Sequence, residues 1–317
     1  MTFRILATPR SFCNTPGPHL DLLEAAGCEV VRKAGEHPLS SAALAALIPG
    51  FDAAILGLDQ CDAAVFAAAD RLKTIARFGV GVDAIDRVAA AAHGVVITNT
   101  PNTNHLAVAE LTIGLLFALA RQIPAVAASA RAGLFRRHTG WELSGKTLGV
   151  LGFGAIGRAV AERAHLLGMR VLACDPFWDG EAYFAVNAPL ETLWREADAV
   201  SLHLPYTPET AGLISGEVLD RMRPGAVIVN TARGGLIDED ALYERLVSGH
   251  IGGAALDAFA HEPPTGSPLL TLDNVIATPH MGGSTREAVA RTGLLAARNC
   301  LAVLRGEPTP HIVAPPG

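Results

Sequence analysis

TLGVLGFGAIGRAVAERAHLLG, residues 147–168, decides the fold. The apolar run TLGVL reads as a buried strand, enters GFGAIG at Gly152–Gly157, and passes directly into an Ala-rich helical stretch. A bare GxGxxG is common, but this one stands in the strand–turn–helix context that gives the pattern its meaning. Gly152 permits the tight turn, Gly154 lets backbone amides approach a pyrophosphate, and Gly157 lets the helix pack close to the strand. Ala155 and Ile156 complete the loop, where the start of the helix offers unpaired N–H groups and a partial positive charge to an anion. Asp175 stands 18 residues past Gly157, at the end of the next candidate strand. Its carboxylate is placed to accept from both hydroxyls of a ribose and to repel a 2′-phosphate, and no Arg follows in PFWDG. The spacing predicts an NAD site in preference to an NADP site.

Outward from this loop, short β-rich runs alternate with Ala- and Leu-rich helical stretches, the pattern of βαβ units around a parallel sheet. The alternation occurs twice. Candidate strands at 3–7, 29–32, 53–56, 74–77 and 95–98 enclose candidate helices at 20–26, 40–47, 62–70 and 85–92. The second set has strands at 147–152, 171–175, 199–203, 226–230, 252–257 and 274–279. A helical run at 104–121 lies between the sets, and another, 285–304, follows the second. The expected fold is α/β, two Rossmann-like doubly wound parallel-sheet domains. The first, substrate-binding domain is expected to be discontinuous, 1–99 plus 286–317, and the NAD-binding domain to span 100–285.

Composition agrees with that class. The 317 residues are 50% apolar but only 5% aromatic, so the excess is Ala, Leu and Val, the usual filling of helices on buried strands. The longest apolar stretch, 111–120, is about half of the roughly 20 residues a membrane-spanning helix needs, and no membrane segment is expected. MTFRILATPR lacks the pattern of a signal peptide and reads as a first strand, which makes the cytoplasm the expected compartment. Five cysteines at 13, 28, 61, 174 and 300 have neither CxxC nor metal-ligand spacing; all are expected to be unpaired, and no metal is expected. A formal net charge of −6 with no basic run disfavours nucleic acid as a partner.

Three segments are unusual for mere scaffolding. NTARGGLID (230–238) delivers Arg233 at a strand exit, where open α/β sheets bind ligands. FAHEPP (259–264) fixes Glu262 ahead of two prolines, and TPHMGG (278–283) puts His280 at another exit. Taken singly, each has a bland explanation as an ion pair, a loop charge or a satisfied histidine. Together, beside a dinucleotide site, they match the needs of hydride chemistry on a 2-oxo acid. Arg binds oxygens bidentately and keeps its charge. His has a reference pKa near working pH. A carboxylate within hydrogen-bond reach of such a ring favours the imidazolium.

These residues resemble the D-isomer-specific 2-hydroxyacid dehydrogenase family, including its phosphoglycerate dehydrogenase branch. The landmarks are RFGVGVDAID (77–86), NTPNTNHLAVAEL (99–111), WELSGKTLGVLGFGAIG (141–157), LHLPYTPET (202–210), VNTARGGLIDEDAL (229–242), ALDAFAHEPP (255–264) and TPHMGG, covering nearly the whole chain. The resemblance implies an active site in the cleft between the domains and a homodimer formed largely through the cofactor domain. Arg233, Glu262 and His280 then form the catalytic set, with Arg233 holding a small 2-hydroxy or 2-oxo acid and His280 transferring the proton. Backbone N–H groups around Val80 and Gly81 would bind the substrate carboxylate, a role a Gly-rich nest can fill without a charged side chain. Asp257, Thr231 and Ala232 would lie along the nicotinamide, with His203 and Pro205 near the pyrophosphate and adenosine side. Asn104 would either face the cleft or cap the bridging helix.

Two departures stand out. Phosphoglycerate-specific members typically carry an Arg-Ser pair after the third strand, whereas this chain reads ILGLDQ (55–60) and lacks that guanidinium. Arg77, Arg136 and Arg137 are the remaining cations from which a phosphate contact could come. The C-terminal regulatory domain of longer phosphoglycerate dehydrogenases, and feedback through it, is not expected. The expected substrates are 3-phosphoglycerate or the smaller hydroxypyruvate and glyoxylate type. The alternative of a different class is an NAD(H)-sensing binding protein of the corepressor type with little turnover. Formate dehydrogenase chemistry is disfavoured because that relative lacks an acid equivalent to Glu262.

Overall fold

A computed structural model describes residues 2–33, 35, 38–178 and 180–315. Met1, Pro316 and Gly317, the extremes of the expected first domain, lie outside the described residues, as does Asp179 of the PFWDG segment. The chain divides into two compact units, Met1–Asn104 with Ser284–Gly317, and His105–Gly283.

The first unit holds β1 (Arg4–Ala7), β2 (Glu29–Arg32), β3 (Ala53–Leu56), β4 (Thr74–Arg77) and β5 (Val96–Thr98) in the order β2-β1-β3-β4-β5, all parallel. β3 and β4 are buried along their whole length, so their continuous apolar runs are covered on both faces. One cover is the helix Arg286–Arg305, which starts with the Thr285 side chain accepting from Ala288 N–H and stops where Gly306 turns left-handed, φ 71°. It packs on β3, β4 and the helix Pro18–Ala25 through Ala296, Ala297, Cys300, Leu301 and Leu304. Gly293 permits the close approach to buried His19, whose ring would lie 2.9 Å from a Cβ there. Asn299 Nδ2 donates to the Asn99 carbonyl at 2.9 Å and Thr292 donates to the Thr103 hydroxyl at 2.8 Å, tying the helix to the end of the first sheet's chain.

The second unit holds β6 (Thr147–Leu151), β7 (Arg170–Cys174), β8 (Val186–Asn187), β9 (Ala199–Leu202), β10 (Ala226–Asn230), β11 (Ile251–Leu256) and β12 (Val275–Ala277). Their order is β12-β11-β10-β9-β6-β7-β8, again parallel throughout. The strand order reverses at β6, so the glycine loop opens at the switch point where doubly wound sheets bind ligands. The helix His105–Arg121 buries Leu115, Leu116 and Leu119 in this unit's core.

The helical run read at 104–121 is the helix His105–Arg121, but a second helix that the sequence did not suggest follows it. Gln122 adopts φ 46°, and the second helix, Ile123–Arg131, leaves at a bend of 64° with Pro124 in its first turn. Among the described residues no single helix is long and apolar enough to cross a membrane; only this bent pair passes by length and composition together. The five-residue helix Arg10–Asn14 and the two-residue strand β8 were also not anticipated.

All five cysteines are free thiols. Burial pushes the Cys13 thiol up to about 11 and Cys61 up to about 12, and raises fully buried Cys300 further still. A raised thiol pKa withholds the reactive thiolate at ordinary pH. At pH 8, Ellman's reagent should therefore reach only the half-buried Cys28 and Cys174 in the native protein, and the other three thiols only after denaturation. Rapid titration of all five thiols in native protein would contradict this packing.

Candidate active site

The glycine loop is a cradle built by close backbone approach. Gly152 follows β6 with φ 87°, and a Cβ there would lie 2.5 Å from the His203 carbonyl oxygen. A Cβ on Gly157 would overlap the carbonyl oxygen of Gly152, whereas around Gly154 there is open space. Gly154 caps the helix Ala155–Leu166 without any side-chain hydrogen bond, which leaves the first-turn N–H groups of Ala155, Ile156 and Gly157 without a side-chain acceptor. That combination of room, unsatisfied donors and helix dipole fits a pyrophosphate.

Asp175 is fastened to the same loop. Its Oδ2 accepts from Phe153 N–H at 2.6 Å and its Oδ1 from Phe177 N–H at 2.8 Å. Each oxygen retains acceptor capacity after one bond, so the residue still fits a ribose diol. Phe153 stacks on Trp178 with centroids 4.0 Å apart, and the Arg158 guanidinium lies over Phe153 at 4.6 Å. This rigid wall behind the loop was missed in the sequence, although GFG placed an aromatic where any residue could stand. His203 pairs through Nε2 with the Ser201 hydroxyl at 2.8 Å, while its Nδ1 is buried without a partner. Desolvation lowers the ring to about 3, so His203 is neutral at physiological pH and leaves a polar atom for a ligand to satisfy. The Pro205 carbonyl accepts from the Thr210 hydroxyl at 2.7 Å, fixing the loop beyond it.

The exits of β10, β11 and β12 carry the ionisable side chains. Buried Asn230 ends β10; its Oδ1 accepts from Ala232 N–H at 3.0 Å and its Nδ2 donates to the Arg233 carbonyl at 2.8 Å, which shapes the turn that presents Arg233. Arg233 is extended, φ −143°, and its guanidinium donates to the Ala232 carbonyl at 2.8 Å. Thr112 gives its proton to the Val108 carbonyl, so Thr231 is the donor in the 2.9 Å bond between the two hydroxyls. The Thr231 side chain is thereby committed to the helix His105–Arg121.

Asp257 follows β11 at 2% exposure and binds the next loop from both sides of His280. Oδ1 accepts from the Thr278 hydroxyl at 2.7 Å and Met281 N–H at 2.8 Å, and Oδ2 from Gly282 N–H at 2.8 Å. His280 itself has φ 51°, a left-handed conformation unusual for a residue other than glycine. The ring is aimed by Glu262, whose Oε1 and Oε2 each lie 2.9 Å from His280 Nδ1. A carboxylate can only accept, so Nδ1 carries a proton and Nε2 is the nitrogen presented outward. The structure thus joins Glu262, His280 and Asp257 into one assembly, with Arg233 on the neighbouring strand exit. Among the described residues no group of three His, Cys, Asp or Glu side chains is placed to hold a metal.

Val80, Gly81 and Asn104 belong to the first unit. Val80 is exposed, and its carbonyl accepts from Asn99 Nδ2 at 2.9 Å. No described residue accepts from the Val80 or Gly81 N–H groups, which follow Gly79 in a turn at φ 143°. The buried Arg77 guanidinium folds over this turn and donates to the Phe78 carbonyl. Asn104 Oδ1 is buried with no partner, so it does not cap the helix that starts at His105. Where the expected Arg is absent after β3, buried Asp59 accepts from the Thr8 hydroxyl at 2.5 Å, Gly57 N–H at 2.9 Å and Leu39 N–H at 2.8 Å.

Comparison with known proteins gives a consistent assignment. Residues 113–282 match the family model described as D-isomer specific 2-hydroxyacid dehydrogenase, NAD binding domain. D-3-phosphoglycerate dehydrogenase of Methanocaldococcus jannaschii is 47% identical over 254 residues, 78% of this chain and 48% of that protein. The chain spans about half the length of the curated relatives it matches. Among solved structures, the TT0316 protein of Thermus thermophilus superimposes with a TM-score of 0.89 at 42% identity, over 98% of this chain and 100% of that one. The NAD+-bound 3-phosphoglycerate dehydrogenase of Entamoeba histolytica gives 0.82 at 28% identity, over 99% of each chain. The chain belongs to the D-isomer-specific 2-hydroxyacid dehydrogenase family.

Proposed function

We propose that this chain is an NAD-dependent D-2-hydroxyacid dehydrogenase that also reduces the corresponding 2-oxo acid, with Met1–Asn104 and Ser284–Gly317 binding substrate and His105–Gly283 binding cofactor. The observation that carries the reading is the orientation of His280: Nδ1 is fixed on Glu262 and Nε2 is left for the reacting oxygen.

When bound, the nicotinamide cofactor supplies or takes up a hydride at C2 of the substrate. The chain's own groups do the rest. The glycine loop, with Ala155 and Ile156 at the helix start, holds the pyrophosphate, Asp175 the ribose, and His203 and Pro205 border the same strand exits. Thr231, Ala232 and Asp257 frame the nicotinamide end through backbone and turn geometry. Arg233 polarises the substrate carbonyl and holds the substrate in the second unit; in the first unit, the Val80 and Gly81 N–H groups and Asn104 are the groups suited to a carboxylate. His280 Nε2 delivers a proton to the developing alkoxide during reduction and accepts it during oxidation. Glu262 fixes the tautomer and stabilises the charged ring. The relatives from Methanocaldococcus jannaschii and Entamoeba histolytica are named as dehydrogenases, which supports turnover over a role in cofactor sensing alone.

The substrate is a 2-hydroxy acid of the 3-phosphoglycerate or the hydroxypyruvate and glyoxylate class. The identity to phosphoglycerate dehydrogenases supports the former, and Asp59 in place of a cation after β3 supports the latter. Exposed Ile123, Leu134 and Phe135 in the second unit support a homodimer through that unit, and five free thiols support a cytoplasmic location.

Loss of NADH absorbance with hydroxypyruvate, glyoxylate, pyruvate, 2-oxoglutarate or 3-phosphohydroxypyruvate tests the activity and selects the substrate; tight NADH binding with no oxidation by any of them refutes it. His280→Ala should lower turnover on the order of 10²–10⁴-fold while NADH affinity stays within a few-fold; undiminished activity would remove the proton-transfer role. Asp175→Ala should erode the preference for NAD over NADP, and an unchanged preference would remove its ribose role.

A further inference from the structure

We propose that Glu239 is a positioning residue for proton transfer: it straps the loop that carries Glu262 and thereby holds the acid on His280. The proposal rests on the dehydrogenase reading above and adds a residue outside the set assigned there.

Glu239 opens the helix Glu239–Val247, but the end of that helix is already capped, because Asp238 Oδ1 accepts from Ala241 N–H at 3.0 Å. Glu239 is therefore available for another task. Its Oε1 accepts from Ala260 N–H at 2.7 Å, while the preceding amide, Phe259 N–H, donates to Glu262 Oε1 at 3.1 Å. Two consecutive amides thus bind two different carboxylates. Backbone also lies close against the same peptide: a Cβ on Gly234 would overlap the atoms joining Phe259 to Ala260. The peptide therefore meets Gly234, next to Arg233, and is bound by the Glu239 carboxylate.

The bond to Glu239 matters because, beyond this peptide, burial does not hold the segment. Ala260 and His261 are exposed, unlike Phe259, which is anchored in the core at 6% exposure. From Phe259 the chain must turn so that both Glu262 oxygens face His280 Nδ1. Without an acceptor for Ala260 N–H, the segment between the buried anchor and Glu262 loses one of the bonds that set its path. Burial pushes the Glu239 carboxyl up, opposed by the Ala260 N–H and His261, with Asp240 and Glu262 adding to the rise. Charged or neutral, the side chain keeps a carbonyl-type oxygen able to accept the amide, and so does glutamine.

This makes hydrogen-bond acceptance, not charge, the required property, and an alanine–glutamine pair separates the two. Wild type, Glu239→Ala, Glu239→Gln, Glu262→Ala and the Glu239→Ala/Glu262→Ala double variant are compared for kcat, KM and NADH affinity on the 2-oxo acid the wild type reduces. Glu239→Ala should lower kcat on the order of 10- to 100-fold, as expected of a small misplacement away from the reacting atoms, with NADH affinity unchanged. Glu239→Gln should restore kcat close to wild type. The double variant should be no slower than Glu262→Ala, because a residue that acts through Glu262 has nothing left to position. Amide hydrogen exchange over 259–262 should rise in Glu239→Ala and not in Glu239→Gln. Wild-type kcat in Glu239→Ala, glutamine as slow as alanine, or additive losses in the double variant would each overturn the proposal. A wild type without turnover fails earlier, at the dehydrogenase reading, and removes this proposal with it.

Discussion

Backbone approaching backbone where no Cβ intervenes is the constraint on which the second unit depends. Gly152 lets the exit of β6 lie against the exit of β9 at His203, and Gly157 lets the following helix close on the carbonyl of Gly152. Gly234 does the same between the exits of β10 and β11, at the peptide joining Phe259 to Ala260. Parallel strands deliver all their exits to one edge of a sheet, and these contacts bring the loops close to one another there. Asp175 then meets the Phe153 amide, Asp257 the turn around His280, and Glu262 the ring itself.

Carboxylates occupy the strand exits in two distinct capacities. Asp257 and Asp59 are buried, with three donors each, and their task is to hold loops in shape. Removing such a group strands several donors, and the loss would far exceed the modest net worth of any single bond. Glu262 is partly exposed and bound to the ring of His280, to which the proposed function gives the proton transfer. The left-handed backbone of His280 is tolerated because Asp257 grips the chain on both sides of it, through Thr278 and through Met281 and Gly282.

Much of this was legible in the sequence where the signal is local. The strands at 29–32, 53–56, 74–77 and 226–230 have the bounds their apolar runs suggest, since each is an apolar run closed by polar or turn residues. The two-residue strand β8 is exposed and has no such signature. The helix Ile123–Arg131 was hidden because an Ala-rich run continues through Gln122, and a left-handed turn at a non-glycine residue leaves no mark in composition. The pairing of Glu262 with His280 was anticipated from chemistry alone. The hydrogen bonds of Asp257 were not, because its partners lie 21 to 25 residues further on and the sequence shows only a strand ending in an acid. Asn104 was weighed as a helix cap, yet its Oδ1 meets no helix amide.

The central claim is that Glu262 presents His280 Nε2 to the substrate oxygen. A crystal structure of the complex with NADH and oxamate, a non-reacting 2-oxo acid mimic, tests it most directly. The account predicts Nε2 within about 3 Å of the oxamate oxo oxygen, with Nδ1 still facing both oxygens of Glu262. An oxamate oxygen held by some other donor, with the His280 ring turned away from it or released from Glu262, would contradict the account.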